Sequence, residues 1–134
     1  MILTDTHTHL YSEAFDSDRN LVIEKAMELG VRRFFIPAID SSYTKAMLDL
    51  EKAYPENIFL MTGLHPTHVK EDYKKELAHV EELLASRKFY AVGETGIDLY
   101  WDKTFLKEQQ IAFKQQIQWA KKYAYPIVIH CREG

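Results

Sequence analysis

Short apolar runs alternate with longer amphipathic stretches along the whole chain. Met1 to Thr4 predicts a first strand. Leu21, Val22, Ala26, Met27 and Leu29 follow at helical spacing, and Gly30 suits the helix stop. Arg33-Phe34-Phe35-Ile36-Pro37 reads as a second strand. Ser41 or Ser42 is placed to cap a helix carrying Ala46, Met47, Leu50 and Ala53, which ends before Pro55. Ile58 to Met61 is a third strand closed by Gly63, and Leu77, Val80, Leu83 and Leu84 mark a third helix. Phe89 to Val92 reads as a fourth strand. Asp102 or Thr104 caps a long fourth helix with Phe105, Phe113, Ile117, Ala120 and Ala124 on or near one stripe. Ile127-Val128-Ile129 is the fifth strand.

This series predicts an α/β fold whose apolar strands form a parallel sheet covered on both faces. No repeat, low-complexity tract or linker divides residues 1–134, so they read as part of one domain. Periodicity alone does not separate an open sheet from a barrel.

Composition narrows the classes. The 134 residues are 46% hydrophobic, enough for a sizeable core. The formal charge of -3 is spread over interspersed acids and bases, so any grip on nucleic acid must be local. A single cysteine, Cys131, excludes an internal disulfide and fits a reducing, cytoplasmic setting. No secretory leader is legible, and no apolar run approaches the ~18 residues of a membrane span.

Four polar clusters fall at or just past the predicted strand ends, where parallel α/β proteins place their sites. They are Asp5-Thr6-His7-Thr8-His9, Gly63-Leu64-His65-Pro66, Gly93-Glu94-Thr95-Gly96-Ile97-Asp98 and His130-Cys131-Arg132-Glu133-Gly134. On a strand His7, His9 and Asp5 share a side, and two imidazoles about 7 Å apart at Cα can converge on one cation. That spacing alone balances metal ligation against two polar residues satisfied by backbone. Glu94 and His130 at equivalent later positions tip it toward metal.

Glu94 is flanked by glycines, and its two oxygens suit a carboxylate bridging two cations. The planar fork of Arg132 suits a phosphate; the plain alternative is an ion pair with Glu133. Strand alternation turns Cys131 away from His130, which makes it structural. His65 is placed to orient a phosphate or a metal-bound water. Asp98 orients a histidine ligand, lines the cleft or stabilises its loop. His68 and His79 lack a partner pattern and read as surface residues. Tyr100 and Trp101 either stack on a base or pack the loop.

Taken together, these four clusters resemble the successive motifs of the TatD-type metal-dependent deoxyribonucleases, within the amidohydrolase superfamily. Order, spacing and strand context agree along the available chain. One departure is Thr95, where that family more often carries an aliphatic residue. The resemblance implies a TIM-like (β/α) barrel, of which this chain supplies about five of eight β/α units. It implies one or two divalent metal ions, drawn from Zn, Mg, Mn, Fe or Co. His7 and His9 would hold the first, Glu94 would bridge, and His130 would hold the second. His65 and Arg132 would hold or orient the scissile phosphate. The implied activity is hydrolysis of DNA phosphodiesters from the 3′ end, with Glu94 and His65 in the catalytic machinery.

A closed barrel takes about 250 residues. The family pattern also needs a further histidine and a later aspartate beyond Gly134. The expectation is therefore the N-terminal part of a longer protein or a truncated gene product. As it stands it would have an incomplete site, very low nuclease activity and open sheet edges that favour self-association. The alternatives are a metal-dependent amide or ester hydrolase on the same scaffold, such as a D-aminoacyl-tRNA deacylase, or a non-catalytic fragment that self-associates.

Overall fold

The computed structural model describes residues 1–134. Five strands alternate with four α-helices: β1 (Leu3–Asp5), α1 (Arg19–Glu28), β2 (Val31–Ile36), α2 (Thr44–Ala53), β3 (Ile58–Leu60), α3 (Tyr73–Ser86), β4 (Val92–Asp98), α4 (Leu106–Tyr123) and β5 (Ile127–Arg132). The apolar positions set this order. Ile23 of α1, Met47 and Leu50 of α2, and Val80 and Leu84 of α3 are buried with Phe34, Ile36, Ile58 and Leu60 of the strands. No helix is long and apolar enough to cross a membrane.

Every strand pairing is parallel, but the predicted single sheet is divided. One sheet runs β1-β2-β3 and the other is β4-β5. A lone parallel bridge, Thr62 to Val92, joins them. Around it, Tyr90 N bonds to Leu60 O (2.9 Å), Thr62 N to Ala91 O (3.3 Å) and Gly93 N to Thr62 O (2.9 Å), so the end of β3 runs alongside the entry to β4. Backbone bonds from Ala38 N to Gly93 O (2.9 Å) and from Glu94 N to Ala38 O (3.2 Å) tie the exit of β2 directly to β4.

Four local expectations need correction. The fourth strand is not Phe89 to Val92 but Val92–Asp98, so the Gly93–Asp98 cluster is the strand itself. Its glycines are poor strand formers, yet Gly96 is required there. Its φ is +142°, and a Cβ at that position would run into the His130 carbonyl of β5. Neither Ser41 nor Ser42 caps the segment before α2; the Asp40 carboxylate does, accepting from Ser42 N at 2.9 Å. Asp102 Oδ1 caps the turn at Thr104 N (2.8 Å), while α4 begins later, at Leu106.

The buried face of α4 is Gln109, Ala112, Gln116, Trp119 and Ala120, which shares only Ala120 with the predicted stripe. Phe113 and Ile117 are only half-buried, and Ala124 is exposed as the left-handed C-cap. The two glutamines sit on this face because they bond to backbone. Gln109 Oε1 accepts from Asp98 N at 2.8 Å and its Nε2 donates to Asp98 O at 2.9 Å. Gln116 Oε1 accepts from Leu64 N at 2.9 Å. Thus α4 holds by hydrogen bonds the two segments that carry Asp98 and His65.

Candidate metal centre

β1 ends at Asp5, and the chain turns there because Asp5 Oδ1 accepts from His7 N at 3.1 Å. Asp5 is spent on that turn and stays exposed, so it does not join the two histidines. Beyond it, Thr8 N bonds to Phe35 O of β2 at 3.1 Å, which fixes the path between His7 and His9. Both rings reach Glu94 on β4. His7 Nε2 lies 3.2 Å and His9 Nε2 3.3 Å from Glu94 Oε1.

The other carboxylate oxygen faces the other two histidines. His130 Nδ1, from β5, lies 3.1 Å from Glu94 Oε2, and His65 Nε2 lies 3.6 Å from it. Two donor groups therefore share one carboxylate: His7, His9 and Glu94, and His65, Glu94 and His130. The Glu94 side chain is 8% exposed. Burial pushes its carboxyl up, but hydrogen bonding and charge from rings that present a proton to it, His65 foremost, outweigh this and hold it well below the usual carboxylate range.

Neighbouring hydrogen bonds decide what each ring presents to Glu94. Tyr11 is buried, and its hydroxyl donates to Pro37 O at 2.7 Å. That hydroxyl can then only accept from His9 Nδ1, 2.9 Å away. His9 thus carries its proton on Nδ1 and turns the Nε2 lone pair toward Glu94. Burial and the Glu94 charge push the Tyr11 phenol above its ordinary range, so it stays neutral.

His130 is set in the same way. Its Nε2 lies 2.7 Å from Asp98 Oδ2. Burial pushes the Asp98 carboxyl up, but the bonds from His130 and from Tyr100 N outweigh this and hold it below its ordinary value. Ionised Asp98 accepts the Nε2 proton, and the Nδ1 lone pair of His130 faces Glu94. One imidazole lone pair is thus directed at each oxygen of an ionised carboxylate. Such contacts are attractive only with a cation, a proton or a metal ion, between the two atoms. Imidazole and carboxylate donors in this arrangement fit a divalent metal.

His65 differs. Its Nδ1 accepts from Thr67 N (3.2 Å) as it caps the short 3-10 turn Pro66–His68. In the neutral ring the proton then sits on Nε2 and points at Glu94. His65 faces the carboxylate as a hydrogen-bond donor, whereas His9 and His130 face it with lone pairs.

The remaining predicted residues fall around this cluster. The Arg132 guanidinium lies 3.6 Å from the Tyr100 ring centroid, so an aromatic face rather than Glu133 holds it. Cys131 is exposed, and its thiol hydrogen-bonds Gly134 O. His68 and His79 are not free surface residues. His68 Nδ1 lies 2.7 Å from Asp40 Oδ2, and His79 Nε2 lies 2.8 Å from Thr44 Oγ1. Both are half-buried, paired by contacts that cross between elements and have no local spacing. Sequence reasoning missed Tyr11, Gln109 and Gln116. The legible signal was two glutamines seven apart on the apolar side of α4; Tyr11 left none.

A family model described as TatD related DNase matches residues 4–134. The chain is 35% identical to an uncharacterized metal-dependent hydrolase, YabD of Bacillus subtilis, over 99% of this chain and 52% of that protein. It is 30% identical to the 3′-5′ ssDNA/RNA exonuclease TatD of Erwinia tasmaniensis, over 97% of this chain and 50% of that one. The crystal structure of YjjV, a TatD homolog from Escherichia coli, superposes with a TM-score of 0.88 at 29% identity. That match covers 98% of this chain and 51% of YjjV. The chain spans about half the length of the curated relatives it matches.

Proposed function

The chain belongs to the TatD related DNase family, and from that premise we propose that it carries the metal-binding part of a divalent-metal phosphodiesterase acting on single-stranded DNA from the 3′ end. The observation that carries this reading is the convergence of four imidazole rings on one buried carboxylate, with His9 Nε2 3.3 Å from Glu94 Oε1 and His130 Nδ1 3.1 Å from Oε2. In it, β1 to β5 are five strands of a (β/α)₈ barrel, and residues 1–134 are the N-terminal part of that domain. His7, His9 and Glu94 would hold one divalent ion, and Glu94 with His130 would hold a second.

Bound divalent ions lower the pKa of a coordinated water and neutralise charge developing on a phosphoryl group. The chain's own residues do the rest. Tyr11 and Asp98 fix the protons of His9 and His130 away from Glu94 and so keep their ligand atoms free. His65, with its proton on Nε2, donates to a phosphate oxygen drawn into the site. Arg132, stacked on Tyr100, offers its N–H edge to the same phosphate. The metal identity is left to titration with Zn²⁺, Mg²⁺, Mn²⁺, Fe²⁺ and Co²⁺.

Two measurements test the reading. Isothermal titration of the metal-free protein is expected to give divalent-ion binding that Glu94→Gln removes. End-labelled single strands incubated with the full-length protein and metal are expected to shorten stepwise from the 3′ end. Metal binding unchanged in Glu94→Gln refutes the bridge. Cleavage that needs no divalent ion refutes the class of enzyme.

A further inference from the structure

The Glu94 strand runs into an aromatic loop that the metal centre does not use. Trp101 is 74% exposed and Tyr100 47%. The two rings meet edge to face, their centroids 4.7 Å apart and their planes at 90°. Aromatics that merely pack a loop bury their faces; here about three-quarters of the larger residue is open to water. Arg132 lies 3.6 Å from the Tyr100 centroid and 5.8 Å from that of Trp101, and its guanidinium forms no salt bridge. The group is a flat, open indole beside a stacked planar cation whose donor edge is free.

The platform is built in register with the metal centre. Asp98 Oδ1 accepts from Tyr100 N at 3.0 Å, while Oδ2 accepts from His130 Nε2 at 2.7 Å. One carboxylate thus positions both the aromatic loop and a ring that faces Glu94. Leu99 N bonds to Arg132 O at 3.0 Å, so the start of the loop is tied to the strand carrying the guanidinium. Trp101 also lines a small cleft with Asp98, Pro66 and Lys70.

We propose that Trp101, backed by Tyr100 and Arg132, is a nucleobase-stacking subsite for the strand end presented to the metal centre. The occupant is an unpaired base, with Arg132 taking an adjacent phosphate. An unpaired base has a free π-face to lay on the indole; a base inside a duplex already stacks on its neighbours. The subsite therefore selects single-stranded ends, without reading their sequence, because every base has such a face. This rests on the reading of the metal centre as a nuclease site.

The test is binding without turnover. The metal-free full-length protein, in a chelator, is titrated into a fluorescently labelled oligothymidylate and anisotropy is read. Parallel titrations use an abasic strand of the same length and a blunt duplex. Quenching of Trp101 emission is followed alongside, with the buried Trp119 (7% exposed) as background. The oligothymidylate is expected to quench the indole and to bind more tightly than either control. Trp101→Ala is expected to weaken oligothymidylate about 5- to 150-fold while leaving the abasic strand unchanged. Trp101→Phe is expected to retain most of the affinity. Wild-type affinity for oligothymidylate in Trp101→Ala, or equal affinity for the base-bearing and abasic strands, overturns the subsite and leaves the nuclease reading standing. No single-strand binding by the wild type, together with no metal-dependent cleavage, overturns both.

Discussion

Replacing Gln109 by leucine removes a two-point clamp from the backbone of the candidate site. Gln109 is 3% exposed, and its amide makes reciprocal bonds of 2.8 and 2.9 Å with the N–H and C=O of Asp98. Leucine has similar bulk but no polar group, so both Asp98 groups lose their partner inside the fold. A buried, unsatisfied group costs about 1–3 kcal/mol. Greater apolar burial by leucine offsets part of that, leaving a net loss of about 2–4 kcal/mol. Against a total stability of about 5–15 kcal/mol, this is a large fraction. The assay is urea unfolding followed by circular dichroism, where the midpoint falls at unchanged slope. Gln115→Leu on the exposed face of α4 is the control, expected to lie within about 0.5 kcal/mol of wild type. A Gln109→Leu protein as stable as the control refutes the clamp.

Three further outcomes follow from the same contacts. Tyr11→Phe removes the acceptor of His9 Nδ1–H, so calorimetry is expected to show divalent-ion affinity falling about 10- to 100-fold; unchanged affinity excludes the hydroxyl as the orienting group. Asp40→Ala removes the cap on Ser42 N and the partner of His68, and is expected to cost about 1 kcal/mol at neutral pH. Burial raises the Asp40 carboxyl, but Ser42 and His68 outweigh it, so its folded value lies below its unfolded one. Its stabilisation is therefore complete above the unfolded value and is lost as pH falls through the folded one. Thermal melts of wild type and variant are expected to converge only below about pH 4, and convergence already at pH 6 refutes the assignment. Thr95 Oγ1 is buried with no hydrogen-bond partner, so Thr95→Val is expected to raise stability by about 1 kcal/mol, read as a higher melting temperature.

Apolar spacing carried the order of the strands and helices, because each helix buries one face against continuously apolar strands. It failed at β4, where Gly93 and Gly96 argue against a strand. That segment is extended because β5 approaches so closely that only glycine fits at Gly96. The local pattern cannot register a constraint imposed by a chain segment over thirty residues away. The same holds for α4. Gln109 and Gln116 read as polar, yet each meets a backbone amide group that the fold brings to it. A helix stripe chosen for hydrophobicity alone therefore rotates away from the true buried face.

The candidate site shows the same division at the level of single protons. Residue type and spacing brought His7, His9, His65, Glu94 and His130 into view as one cluster, and the fold brings all four rings within 3.6 Å of Glu94. They are nevertheless not equivalent donors. Whether a ring offers a lone pair or a proton depends on the partner of its other nitrogen: Tyr11 for His9, Asp98 for His130, Thr67 N for His65. Of these, only Asp98 was in view as a partner for a histidine. The Tyr11 contact depends in turn on Pro37 O, which takes the phenol proton and leaves the oxygen able only to accept. Ligand capacity at Glu94 is thus set by groups outside the cluster. A chain keeping all four histidines and the glutamate, but losing Tyr11 or Asp98, would keep the spacing and lose the directed lone pairs.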